Sequence, residues 1–77
     1  MYSKTKMVKF SLRNDSGTAV DVKIGDKVMT LTPGKVVDLS LPVGTRIVAN
    51  ADTPNHAAGS LIEEVISEHS GATVIIR

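Results

Sequence analysis

Two histidines and a scatter of carboxylates are the residues best suited to chemistry in this chain. His56 and His69 are its imidazoles, and Asp52, Glu63, Glu64 and Glu68 lie between or beside them. Zinc accepts a His, His and carboxylate set, so a small metal- or ligand-binding protein built on His56 and His69 is one reading. The spacing offers no His-x-His or His-x-x-x-His pair, and histidines on surface loops are the simpler account. Glu63 and Glu64 are adjacent. Neighbours in a strand point to opposite faces, and in a helix they sit about 100° apart, so neither geometry makes them an acid–base dyad. Covalent catalysis lacks its parts, because the chain has no cysteine and no Gly-x-Ser-x-Gly elbow. A triad that meets only in space would leave no trace in sequence. No glycine-rich strand-to-helix loop is present to cradle phosphate. We expect no catalytic residue, no cofactor and no enzyme.

Composition narrows the remaining classes. A chain of 77 residues allows one domain with a thin core. Without disulfides or a thiolate zinc site, such a domain needs good packing or a partner subunit. Net charge is +1, which argues neither for nucleic acid nor for an acidic partner, and no nucleic-acid partner is expected. Lys4, Lys6 and Lys9 give only a slight basic bias, and Tyr2 and Phe10 are too few to form a stacking platform. The same shortage of aromatics argues against a carbohydrate platform. No apolar run is long enough to span a bilayer. The first twenty residues show no apolar signal core, and cysteine is absent, so a cytoplasmic setting is favoured.

The apolar residues are mostly Val, Ile, Leu and Ala, which favours strands. Met1–Lys6 reads as a flexible tail and residues 7–77 as a single domain. Val8, Phe10 and Leu12 alternate with Lys9, Ser11 and Arg13, as in a half-buried strand. Asn14-Asp15-Ser16-Gly17 is turn chemistry. It also fits the N-glycosylation pattern, with no secretory signal to accompany it. A second strand runs from Thr18 to Ile24. Gly25-Asp26 then suits a type II′ hairpin that sets Ile24 opposite Lys27, Val22 opposite Met29 and Val20 opposite Leu31. Thr32-Pro33-Gly34-Lys35 suits a type II turn. Val37, Leu39 and Leu41 alternate with Asp38 and Ser40 until Pro42 and Gly44 break the strand. Arg46–Ala51 resumes it, and Asp52–Gly59 is the longest irregular stretch. Residues 60–69 carry a Ser60–Glu63 capping box and a helical apolar face, so the local pattern favours a helix. The single turn signal at Ser70-Gly71 favours a hairpin of two strands instead. Ala72–Arg77 is apolar on both faces and should lie inside a sheet or be covered by another chain.

Several of these features share one layout. Phe10 opens a strand that ends at Asn14-Asp15-Ser16. Val20 and Val22 lead to Gly25, and Leu31-Thr32-Pro33-Gly34 makes the next turn. Gly44 precedes a strand holding Ile47, and Asp52 to His56 runs through Gly59 into Leu61-Ile62. Over residues 8–76 this resembles the β domain of the von Hippel-Lindau tumour suppressor, an immunoglobulin-like, prealbumin-like β-sandwich. The resemblance implies a strand at 60–69 and a protein-binding role. It does not carry over the family's hydroxyproline-reading groove of Trp, Tyr, Ser and His. This chain has no Trp, its Tyr is at position 2, and Pro42–Arg46 lacks the Ser and His.

The sequence therefore predicts an all-β fold, a small antiparallel β-sandwich of about seven strands, with a short helix near 60–69 as the open alternative. The expected function is a non-enzymatic protein-interaction or assembly module. Its polar contacts would come from Arg46, Asp52, Asn55 and His56. A protein partner or self-association as a homodimer is expected, the latter through Val74-Ile75-Ile76.

Overall fold

The structure is a computed structural model and describes residues 6–77. The flexible tail expected over residues 1–6 thus lies, Lys6 apart, outside the described residues. Seven strands follow in order: β1 (Met7–Asn14), β2 (Val20–Ile24), β3 (Lys27–Leu31), β4 (Val36–Pro42), β5 (Arg46–Ala49), β6 (Leu61–Glu64) and β7 (Thr73–Ile76). One 3-10 turn, Ser67–His69, precedes β7. The strands form two sheets, β4-β1-β7 and β3-β2-β5-β6. The fold is the small all-β sandwich that alternation implies, because side chains that switch sides at each residue give each sheet one apolar face to bury.

The β2–β3 hairpin has the expected register, with Ile24, Val22 and Val20 opposite Lys27, Met29 and Leu31. Gly25 has φ +58°, and no other residue type takes a positive φ among the described residues, so Asp26 does not. A positive φ at the first central position alone is the type II′ turn, whose twist matches that of the strands it joins. At the next corner the Lys35 amide donates to the Thr32 carbonyl at 3.0 Å. Gly34 sits at φ +80° as the type II turn there requires.

The inner faces supply the core. Val8, Phe10 and Leu12 of β1 meet Val20, Val22 and Ile24 of β2, with Leu31, Ile47, Val65, Val74 and Ile76 completing the cluster. Asn14 continues the inward phase of β1 and is fully buried. Its Nδ2 donates to the carbonyls of Thr18 (2.7 Å) and Leu31 (2.8 Å). Its Oδ1 accepts from the backbone amide of Ser16 (3.0 Å) and from Ser16 Oγ (2.6 Å). A side chain so enclosed and occupied cannot serve as a glycan acceptor.

One open alternative is decided and two expectations are corrected. Of the two readings of residues 60–69 the strand forms and the capping-box helix does not, apart from the 3-10 turn Ser67–His69. Residues 61–64 are strand β6, and Val65 extends the pairing, its amide donating to Thr45 O and its carbonyl accepting from Gly44. The edge of β5 offers these residues a ladder, and burial of Val65 secures it; tertiary pairing overrides a local helix preference. Next, β6 and β7 do not make a hairpin. The chain crosses from one sheet to the other between them, and β7 pairs parallel to β1, Ser11 opposite Thr73 through Asn14 opposite Ile76. The sandwich is thus antiparallel except for this one ladder. Finally, β7 is not interior to its sheet. It is an edge, with Val74 and Ile76 buried and Ile75 40% exposed.

Candidate functional site

The loop Asp52–Gly59 leaves β5 and returns to β6, and its own polar groups hold its shape. Thr53 and His56 form a small clasp. The Thr53 amide donates to His56 O at 2.8 Å, and the His56 amide donates to Thr53 Oγ1 at 3.0 Å. Asp52 Oδ1 accepts from the Ala58 amide at 2.7 Å. Gly59 then donates to Ala49 O at 2.7 Å, closing the loop onto the end of β5. Asp52 therefore works as a loop brace. The His56 ring reaches further, with Nε2 lying 2.6 Å from the carbonyl oxygen of Arg77 just past β7. Asn55, at the tip, is exposed, and its amide forms no side-chain hydrogen bond among the described residues.

Arg46 is not part of this group. It opens β5 at the other end of the sandwich, paired in register with Glu64, while the loop follows the strand's far end. The sequence-based set Arg46, Asp52, Asn55 and His56 thus divides into one loop and one distant strand start.

His69 is also remote from His56. It closes the 3-10 turn before β7, where Nδ1 accepts from the Ile66 amide at 3.3 Å. Its ring lies against Phe10, with centroids 5.9 Å apart. His56 meets the chain beyond the last residue of β7 and His69 precedes its first, so the whole strand lies between the two imidazoles. Among the described residues no three His, Asp or Glu side chains cluster in a way that could hold a metal ion. Glu63 and Glu64 do not converge either; Glu63 Oε1 accepts from the Glu64 amide at 3.2 Å.

The sheet edges differ more sharply than the side-chain clusters do. On β6 the carboxylates of Glu63 and Glu64 and a bulge in its pairing with β5 blunt the edge. On β3 Lys27 adds a charge, and on β4 Pro42 removes an amide. Such features discourage strand-to-strand association. β7 has none of them: its sequence is Thr-Val-Ile-Ile. Ser11 donates to Ala72 O and Asp15 to Ile76 O. Because facing alternates along a parallel ladder, Thr73 and Ile75 turn their backbone groups to the open side.

Two concavities accompany these edges. One, of about 440 Å³, lies on the outer face of the three-stranded sheet among Lys9, Ser11, Asp38 and Ser40. There Ser11 Oγ donates to Asp38 at 2.7 Å. The other, also about 440 Å³, is a cleft between β4 and the β2–β3 hairpin. Sequence reasoning missed this cleft, and it missed Asn14 as an inter-sheet clamp. The signal for Asn14 was its place in the inward phase of Val8, Phe10 and Leu12. Nothing local marks the cleft, which depends on how far two sheets splay. Among the described residues no helix is long and apolar enough to cross a membrane. In comparisons with known proteins the chain matches no family model, and no curated protein or solved structure is significantly similar to it.

Proposed function

We propose that this chain is a non-enzymatic protein-interaction and assembly module that associates through the open edge of β7. The observation that carries this reading is the contrast among the edges. β7 alone combines a run free of charge, proline and bulge with an exposed Ile75. A two-fold axis at Ile75 would set Ile75 against its own copy and Val74 against Ile76 on the core side. It would match apolar residues with apolar and oppose no like charges. An interface made by one strand pair is smaller than the roughly 800 Å² per partner of a standard complex, so the association is concentration-dependent. The loop tip at Asn55 and His56 stands beside the end of this edge, because His56 contacts Arg77. It offers a polar flank to whatever pairs there. The similarity of layout to the von Hippel-Lindau β domain, an immunoglobulin-like sandwich that binds protein, supports the same class of role without a hydroxyproline site.

Sedimentation equilibrium over a wide concentration range tests the proposal. The mean mass should rise above that of one chain, and Ile75→Lys should return it to one chain without altering the circular-dichroism spectrum. A single-chain mass for the unaltered protein at every concentration would overturn it.

A further inference from the structure

β7 is the last strand of the chain, and among the described residues β1 is its sole neighbour in the sheet. The two strands are parallel, with residues 11–14 opposite Thr73–Ile76. A parallel pair is not joined by a tight turn, so nothing within this ladder requires that both strands belong to one molecule. What β7 supplies is specific. Val74 and Ile76 enter the core beside Phe10 and Leu12. The carbonyls of Ala72 and Ile76 accept from the Ser11 and Asp15 amides at 3.0 and 2.7 Å. The segment that fits this side of β1 is therefore visible in the structure, and every copy of the chain carries it.

The tether that carries β7 is slight. Residues 66–72 cross from one sheet to the other, and all are exposed except half-buried His69. Their backbone bonds are mostly internal. His69, Ser70 and Ala72 donate to the carbonyls of Ile66, Ser67 and His69, while Gly71 alone reaches β1, donating to Lys9 O at 2.8 Å. The His69 ring rests on Phe10. Before the tether, Val65 is buried and bonded to Thr45 and Gly44, so that end is anchored. Much of the tether is already extended: Ile66 has φ −124° and ψ 160°, and Ser70 has φ −56° and ψ 122°. The bend resides in Ser67–His69 and in Gly71, whose φ is +75°. Straightened, residues 66–72 reach about 23 Å. That exceeds the roughly 10 Å between packed sheets and delivers β7 into a neighbouring molecule.

We propose that two copies of this chain exchange β7. Each lays Thr73–Ile76 along the other's β1 in the same parallel register, with residues 66–72 straightened as the link. The exchanged pair keeps every contact of β7 with β1 and the core, and what it gives up is confined to the tether. During folding β1 must wait for a strand from the far end of the sequence, and in a concentrated solution a neighbour's β7 competes for that place. A closed chain has to release β7 before trading it. Exchange therefore occurs as chains fold together and not when folded chains meet. It uses the side of β7 that faces β1, not its open edge, so it goes beyond the edge pairing proposed above and stands or falls separately.

Disulfide trapping tests the exchange, because the chain has no cysteine of its own and Ser11 sits directly opposite Thr73. Adjacent strands lie within disulfide reach. One preparation carries Ser11→Cys and a second carries Thr73→Cys. The two are unfolded together in urea under reducing conditions, refolded at concentrations on the order of millimolar, oxidised, and resolved by mass. The disulfide joining position 11 of one chain to position 73 of another should exceed either like-with-like product about tenfold, against about twofold for random collision. Gly71→Val provides a second reading. A Cβ at Gly71 meets nothing within 4 Å, so the change strains the positive φ of the closed tether and spares the straightened one. Two tethers open per pair, so the constant for exchange should rise roughly hundredfold. Ile75→Lys in both preparations should leave the mixed product unchanged. A random product ratio after refolding at high concentration would overturn the exchange and leave the edge pairing of β7 intact. Loss of the mixed product with Ile75→Lys, or a fall in it with Gly71→Val, would overturn it as well. If Gly71→Val does not fold, the ratio for the unaltered tether still decides the matter.

Discussion

Asn14 Nδ2 donates to the Leu31 carbonyl at 2.8 Å, and that bond ties the end of β1 in one sheet to the end of β3 in the other. The same nitrogen also holds Thr18 O, while Oδ1 holds Ser16. Every hydrogen-bonding position of a fully buried amide is thereby used, as buried polar groups require.

Asn14→Ala should accordingly cost about 2 kcal/mol, since the buried Leu31 carbonyl would lose this donor, while the part-buried Thr18 carbonyl keeps Ser16 Oγ. Asn14→Asp should cost at least as much at neutral pH, because a carboxylate cannot donate to either carbonyl. Urea unfolding curves measure both. For a domain of this length the loss is a large share of the whole stability.

Leu12 and Leu39 offer a second comparison. Both face inward, but Leu12 is fully buried and Leu39 lines the cleft. Leu12→Ala should cost about 3 kcal/mol, as cavity-forming changes in a closed core do. Leu39→Ala should cost about 1 kcal/mol, since less area leaves contact and water can enter the gap. Equal losses in thermal or urea unfolding would mean that the side at β4 is closed in solution.

Gly34 isolates backbone strain from packing. A Cβ there would meet nothing within 4 Å, yet φ is +80°. Gly34→Ala should therefore destabilise by about 1–2 kcal/mol through conformation alone. Denaturant midpoints with an unchanged m-value would be the expected signature.

His56 and His69 should respond to zinc as separate, weak ligands, because β7 lies between them. Titration followed on the two imidazole NMR signals should show no common saturation and no rise in the thermal midpoint. Joint movement of both signals at one metal per chain would contradict that expectation.

The local features of this fold are legible in the sequence. The β2–β3 register follows from Gly25-Asp26 and from which of Val20, Val22, Met29 and Leu31 are apolar, and both cues lie within twelve residues. The irregular span at Asp52–Gly59 announces itself by Pro54 and by broken alternation. What could not be read depends on partners far away in the chain. Leu61–Val65 reads as helix until β5 is beside it. Val74–Ile76 reads as interior or as covered by another chain, and the edge position of β7, parallel to β1, removes only the first of these. In the candidate loop, residue types alone do not distinguish Asp52, which accepts from the Ala58 amide as a brace, from Asn55, which has no such bond; both side chains are exposed.

The parallel ladder of β1 and β7 also sets a timetable for folding. The β2–β3 hairpin closes over a two-residue turn and can form in microseconds. β1 cannot complete its sheet until Thr73–Ile76 arrive from the other end of the sequence. Contacts so distant must overcome the entropy of a long loop before they return any stabilisation, which places the rate in the millisecond-to-second range of non-local β proteins. During that delay the apolar flank of β1 is bare, and crowding at that stage favours aggregation over folding.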